Sequence, residues 1–125
     1  MADILIVEDE FDLAETYADL LTAHGHKPRL TTTVAEAIRQ IRQKHPEVII
    51  LDLSLPDNSG AVLIRHIWEH KLRNIRLIVI SGHSEMVPQG NFMDAADLVL
   101  NKPISNDQLL TLIERVLRRV STSNV

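Results

Sequence analysis

The stretch VIILDL, residues 48–53, is apolar at every position except Asp52. A run of this kind, without alternation between apolar and polar residues, is typical of a strand that is covered on both faces. A carboxylate inside such a strand is destabilising unless a cation or hydrogen-bond donors compensate its charge. The stretch therefore predicts a buried strand whose single acid needs a partner.

Four other segments, at residues 4–7, 28–31, 76–80 and 98–100, predict further strands before and after this one. The segments between the strands carry apolar residues at helical spacing. Strands that alternate with helices pack as an α/β sandwich around a mostly parallel sheet. We therefore expect five strands in one sheet, with helices on its faces.

Two predicted helices begin with capping boxes, in which a hydroxyl side chain and a Glu or Gln three residues later satisfy each other's backbone N–H groups. Thr33 with Glu36 precedes the second predicted helix, and Ser105 with Gln108 precedes the last. Gly25 is expected to end the first helix. The apolar face predicted for the third helix consists of Leu63, Ile64, Ile67 and Trp68.

Composition narrows the classes of protein to which the chain can belong. Its 125 residues suit one compact domain, which we place at residues 1–120, with 121–125 as a frayed tail. Thirteen Lys and Arg residues against 17 Asp and Glu residues argue against direct nucleic-acid binding. No apolar run approaches the ~18–20 residues that span a membrane. Without a cysteine or a signal-peptide pattern, the chain is expected in the cytoplasm.

Polar residues stand at or just after the carboxyl ends of four predicted strands. Because these ends meet at one edge of a parallel sheet, we expect the side chains to converge there. Carboxylates so close together need a cation, and oxygen ligands without His or Cys suit Mg²⁺. A carboxylate beside Mg²⁺ can act as a nucleophile towards a phosphoryl group. The residues are Glu8, Asp9, Asp52, Ser81 and Lys102.

Four segments together resemble the receiver domain of bacterial response regulators. They are LIVEDE (5–10), VIILDLSLPDNSG (48–60), IVISG (78–82) and LNKP (100–103). The resemblance covers nearly the whole chain. It implies a flavodoxin-like (βα)5 three-layer sandwich with the parallel strand order 2-1-3-4-5.

The resemblance also assigns roles to individual residues. Asp52 would accept a phosphoryl group from a sensor histidine kinase or a histidine phosphotransfer protein, with Ser81 as the switch hydroxyl and Lys102 as the phosphate contact. Asp9 and Asp52 would bind Mg²⁺ directly, Glu8 through water, and Ser54 through its backbone carbonyl. The domain would be a switch rather than an enzyme, acting on an unknown downstream protein or output domain, with a homodimer as one option.

The sequence departs from the family pattern at two places. Val99 occupies a position that is usually aromatic, three residues before the lysine. Pro88 and Gly90 predict a short or irregular fourth helix that begins near Asn91. We therefore hypothesise that the chain signals through an unusual surface, or through an order–disorder change of residues 83–95.

Three other functions deserve comparison with this one. A pseudo-receiver would bind partners without being phosphorylated. A phosphatase of the haloacid-dehalogenase type would use Asp52 as its nucleophile, but it needs a second Asp where this chain has Ser54. A zinc peptidase could use the H-x-x-E-H pattern of residues 66–70, but no third ligand is evident.

Overall fold

The structure, a computed structural model, describes residues 1–53, 59–83 and 87–122. Five strands form one sheet in the order β2-β1-β3-β4-β5, and every neighbouring pair is parallel. The predicted sheet and strand order are confirmed. The strands are β1 (Asp3–Val7), β2 (Lys27–Thr31), β3 (Val48–Asp52), β4 (Arg76–Ser81) and β5 (Leu98–Asn101).

Helices cover both faces of the sheet, which produces three layers. Residues of the first and last helices pack in one buried cluster with one face, and residues of the second and third helices pack in another cluster with the opposite face. The helices are α1 (Phe11–Ala23), α2 (Val34–Gln43), α3 (Ser59–Glu69) and α4 (Asn106–Thr122).

Strand β3 shows why its sequence is apolar without alternation. Val48 and Ile50 face the layer of α1 and α4, whereas Ile49 and Leu51 face the layer of α2 and α3. All five residues of the strand are buried. Since both faces lie against helices, no position is left for an exposed polar side chain.

The two capping boxes form as predicted at their hydroxyl side. The Glu36 N–H donates to Thr33 Oγ1 at 3.2 Å, and the Gln108 N–H donates to Ser105 Oγ at 3.1 Å. At the start of α4 the reciprocal bond is also present, from the Ser105 N–H to Gln108 Oε1 at 3.0 Å. At α2 the Glu36 carboxylate is instead bound by the guanidinium of Arg39.

The connection from β4 to β5 contains the predicted short helix. In its described part, residues 82–83 and 87–97, the helical segment is a 3-10 helix at Asn91–Ala95, preceded by Gly90 with φ +143°. Phe92 of this segment is buried against the core on the α3 side. Residues 84–86 lie outside the described residues, so the order–disorder hypothesis for 83–95 stays a prediction.

Of two further predictions, the one for the core face of α3 is partly wrong and the one for the C-terminal tail stays untested. Leu63, Ile64 and Ile67 of α3 are buried as predicted, but the side chain of Trp68 is 41% exposed and its assignment to the core face is wrong. The tail prediction stays open, because α4 continues to Thr122 and residues 123–125 lie outside the described residues.

Candidate functional site

Asp52 is the last residue of β3, and only 1% of it is exposed. It is level with Ile80 on β4, and the Leu53 N–H extends the ladder by donating to the Ile80 carbonyl at 2.7 Å. By strand alternation Asp52 lies on the same face as Ile50, towards α1 and α4. Regular backbone pairing therefore holds this carboxylate at the end of the central strand.

The neighbouring strands end at the same level, and backbone hydrogen bonds continue one residue past each of them. The Glu8 N–H donates to the Thr31 carbonyl at 3.0 Å, and the Lys102 N–H donates to the Ser81 carbonyl at 2.8 Å. Glu8 and Ser81 are buried, and Lys102 is half-buried. The sheet therefore brings together the residues that the sequence places at its strand ends.

The closest charged contact joins Lys102 to Asp52. Lys102 Nζ lies 2.8 Å from Asp52 Oδ2, with 30% of the lysine side chain exposed. Within the described part of the chain, neither carboxylate oxygen of Asp52 has a hydrogen-bond partner of good geometry. The ammonium compensates the charge, but the oxygens keep lone pairs that a cation or an incoming phosphoryl group can use.

Glu8 shares this environment. Burial, followed by the neighbouring Asp52 carboxyl, raises the pKa of Glu8 to about 8. The N–H of Glu10 donates to Glu8 Oε1 at 3.0 Å and opposes the rise, whereas Asp9 adds to it. The Glu8 carboxyl therefore holds a proton at neutral pH when no cation is bound.

The donor set fits Mg²⁺, although it is not a closed cage. Among the residues that the structure describes, no three His, Cys, Asp or Glu side chains are grouped so that they could hold an ion together. Asp9 is exposed at the rim, and Ser54 lies outside the described residues. Mg²⁺ usually takes only one or two carboxylates and keeps several waters. Asp52 and Glu8, both buried at the ends of neighbouring strands, supply that number of carboxylates.

The hydroxyl of Ser81 is turned towards its own loop. Ser81 Oγ donates to the His83 carbonyl at 2.6 Å and accepts from the His83 N–H at 3.2 Å. The side chain is fully buried. In this arrangement both hydrogen bonds of the Ser81 hydroxyl are made to the backbone of His83, in the β4–β5 connection.

Tyr17 is a site residue that the sequence pattern does not reveal, because its helical spacing with Ala14 and Leu21 indicates only the core face of α1. Its side chain is buried in the cluster between α1 and the sheet face that carries Asp52. Burial, followed by the charges of Asp52 and Glu8, raises the pKa of its hydroxyl well above the ordinary value. The sequence does contain one indication of this proximity. Asp52 and Ile50 are two residues apart on one strand, so their side chains lie on the same face of the sheet, the face that α1 covers.

The zinc-peptidase pattern on α3 gives no closed metal site. His66 and His70 lie with their ring centroids 4.1 Å apart. No third His, Cys, Asp or Glu joins them in residues 1–53, 59–83 and 87–122. A peptidase centre would need that further protein ligand.

Five parallel strands in this order, with helices on both faces and acids at the strand ends, define a flavodoxin-like α/β domain. The family model described as response regulator receiver domain matches residues 4–114. The chain belongs to this family. Receiver domains of response regulators are signalling switches of two-component systems and, in general, are not enzymes that turn over a substrate.

Known proteins similar to the chain agree with this assignment. The phosphate regulon transcriptional regulatory protein PhoB of Escherichia coli (strain K12) is 30% identical over 120 residues, which are 94% of this chain and 52% of PhoB. The signal receiver domain of a LuxO repressor protein from Vibrio parahaemolyticus has a TM-score of 0.83 at 28% identity, covering 98% of this chain and 95% of that one. A CheY-like receiver domain protein from Methanospirillum hungatei has a TM-score of 0.84 at 26% identity, covering 98% of both chains.

The chain spans about half the length of the curated relatives that it matches first. PhoB is a transcriptional regulatory protein by its description, so the comparisons do not support the expectation that nucleic acid is not bound. In the described residues, no helix combines the length and the apolar character that crossing a membrane requires.

Proposed function

We propose that this chain is a phosphoacceptor switch in which Asp52 receives a phosphoryl group from a phosphohistidine of a sensor kinase or phosphotransfer protein. The observation that carries the proposal is the buried carboxylate at the end of β3 with Lys102 Nζ 2.8 Å from one of its oxygens. Lys102 compensates the charge at Oδ2, while Oδ1 has no well-aligned hydrogen bond among the described residues and is open to an incoming group. This arrangement suits a nucleophile.

The two carboxylate oxygens of Asp52 have different contacts, and we assign them different roles. Lys102 lies against Oδ2, which leaves Oδ1 to form the bond to phosphorus. As this bond forms, the P–N bond to the partner's histidine breaks and its electron pair returns to the imidazole. The Lys102 ammonium then offsets part of the charge on the phosphoryl oxygens. Hydrolysis of the acyl phosphate later restores the carboxylate.

The residues proposed to hold Mg²⁺ are Asp9 and Asp52 directly, Glu8 through water, and Ser54 through its carbonyl. When bound, Mg²⁺ supplies positive charge that brings the carboxylates and the phosphoryl oxygens together. The raised pKa of Glu8 fits this role, because a cation would favour the ionised carboxylate in place of its proton.

Ser81 and Lys102 are proposed to transmit the change. Phosphorylation adds about −1.5 to −2 charges at the sheet edge. To reach a phosphoryl oxygen, the Ser81 hydroxyl must leave the His83 carbonyl that it now contacts at 2.6 Å. Val99, 44% exposed on β5, offers no aromatic ring to follow that movement. We expect the readout to pass through the β4–β5 connection itself.

We further propose a cytoplasmic location and an output through a downstream protein or an attached domain, with a homodimer as one option. Direct nucleic-acid binding by residues 1–120 is not part of the proposal. The regulatory relatives are about twice as long as this chain, so an output activity need not reside in the receiver domain.

The test is the intact mass of the chain after incubation with acetyl phosphate and Mg²⁺. We expect one phosphoryl adduct, which disappears in Asp52→Ala and on removal of Mg²⁺. Asp12→Asn is the matched control, because Asp12 is an exposed acid in the first turn of α1 and should leave the adduct unchanged. An adduct that persists in Asp52→Ala would contradict the assignment of the acceptor.

Two other outcomes identify the competing functions. Absence of an adduct with acetyl phosphate and with a phosphorylated histidine partner, together with partner binding that Asp52→Ala does not change, would indicate a pseudo-receiver. Continuous turnover of an aryl phosphate that Asp52→Asn abolishes would indicate a phosphatase.

A further inference from the structure

Two histidines lie one helical turn apart at the end of α3, His66 in its last turn and His70 just after its last residue. His66 is half-buried and His70 is exposed, and their ring centroids are 4.1 Å apart with the planes tilted by 34°. Neither ring takes part in the site at the end of β3. Two imidazoles with this i,i+4 spacing are the pair that helical zinc motifs use to chelate a metal ion.

The backbone determines which nitrogen of His70 can bind an ion. His70 Nδ1 lies 2.9 Å from the His66 carbonyl oxygen. Because a carbonyl can only accept a hydrogen bond, Nδ1 carries the proton and Nε2 keeps its lone pair. A bond from the second ring nitrogen to a carbonyl is the usual way in which proteins orient a metal-binding histidine.

The surroundings of His66 favour the form of its imidazole that binds a metal. Burial, followed by the neighbouring His70 and Arg42, lowers the pKa of His66, which keeps its ring neutral at pH 7. Arg42 on α2 opposes a bound cation, and Glu69, between the two histidines in sequence, offsets it. Neutral imidazole is the form that binds a metal.

We propose that His66 and His70 form a binding site for one borderline divalent transition-metal ion, Zn²⁺ or Cu²⁺, with two imidazole ligands and with water in the remaining positions. Imidazole nitrogen suits these ions, whereas the oxygen-only residues at the strand ends suit Mg²⁺. The two sites therefore select different metals. With no third protein ligand in the described residues, the site is an open chelate and not a peptidase centre.

Trp68 provides a built-in reporter for this site. It is the single tryptophan of the chain, it lies two residues from each histidine in sequence, and it is 41% exposed. A Cu²⁺ ion bound to the pair would quench its fluorescence at short range. The experiment is a CuCl₂ titration of the full chain at pH 7, with excess Mg²⁺ to occupy the acidic site.

We expect quenching that saturates at one equivalent of Cu²⁺, and its loss in His66→Gln and in His70→Gln. His45→Gln is the matched control, because His45 is exposed in the α2–β3 connection and should leave the quenching intact. Far-UV circular dichroism confirms that each variant keeps its helices. Quenching that does not saturate, or that survives both histidine substitutions, would overturn the proposal.

Zinc gives a second measurement that needs no variant. A copper titration repeated with a large excess of ZnCl₂ should need a higher Cu²⁺ concentration for half-maximal quenching of Trp68, because the two ions compete for the same nitrogens although Cu²⁺ binds them more tightly. The same excess of MgCl₂ should leave that concentration unchanged. If ZnCl₂ also left it unchanged, the assignment of the site to this class of ion would be wrong.

Discussion

At the scale of single residues, the site contains a buried tyrosine next to its acids. Tyr17 projects from α1 into the cluster that also lines the Asp52 side of the sheet. Burial disfavours the phenolate, and so do the neighbouring charges of Asp52 and Glu8. The hydroxyl therefore stays protonated and can donate a hydrogen bond over the whole physiological range of pH.

This leads to a spectroscopic prediction, because Tyr17 is the single tyrosine of the chain. In a titration at 295 nm without Mg²⁺, phenolate absorbance should appear only well above the ordinary pKa of about 10. Asp52→Asn should lower the apparent pKa, but only in part, since burial is the larger cause. An unchanged titration in Asp52→Asn would contradict the proposed proximity, and 6 M guanidinium should restore ordinary behaviour in both chains.

At the scale of elements, the segment that replaces a regular fourth helix depends on Gly90. Its φ of +143° is a conformation that side-chain-bearing residues rarely adopt. A Cβ added there would lie 2.8 Å from a ring carbon of Phe92, which is buried. The guanidinium carbon of Arg65 lies 4.4 Å from the centroid of the same ring. The ring therefore has little room to move away.

We predict that Gly90→Ala lowers the free energy of unfolding by about 1–3 kcal/mol, through backbone strain and overpacking. Gly82→Ala is the matched control in the same connection, since among the described residues its added Cβ would meet nothing closer than Lys102 Cδ at 3.9 Å. Urea unfolding of the two variants gives the comparison. Equal midpoints would show that Phe92 and the backbone adjust without strain.

The sequence predicts most elements of this fold because their signals are local. A continuous apolar run located β3, a capping box located the start of α2, and proline with glycine indicated the weak helix near Asn91. The predicted burial of Trp68 was wrong because a stripe of apolar residues on a helix does not reveal where the layer that packs against it ends. Tyr17 was missed for a related reason: spacing identifies the face of a helix, but not what the end of a long side chain reaches. The roles of Asp52, Ser81 and Lys102 rest on the resemblance and stay predictions.

At the scale of the whole molecule, the buried Glu8 of the site lowers the stability of the fold as pH rises. Glu8 has a pKa of about 8 in the folded chain and an ordinary value near 4.5 when unfolded. The folded state thus binds more protons between these values, and its free energy of unfolding falls as pH rises through that window. The slope from this group alone approaches about −1.4 kcal/mol per pH unit. His26 and His66, whose pKa values are lowered, act in the opposite direction.

Comparison with Glu8→Gln therefore isolates the effect of the acid. We predict that urea unfolding without Mg²⁺ shows the variant gaining stability over the wild type as pH rises from about 5 to 8, with little difference at pH 4. Glu15→Gln, at an exposed position on α1, should follow the wild-type curve. If Mg²⁺ binds the ionised acids of the folded state as proposed, it should reverse the pattern and stabilise the wild type more at pH 8 than at pH 5. A Mg²⁺ effect that is independent of pH, or equal in Asp52→Asn, would separate metal binding from these carboxylates.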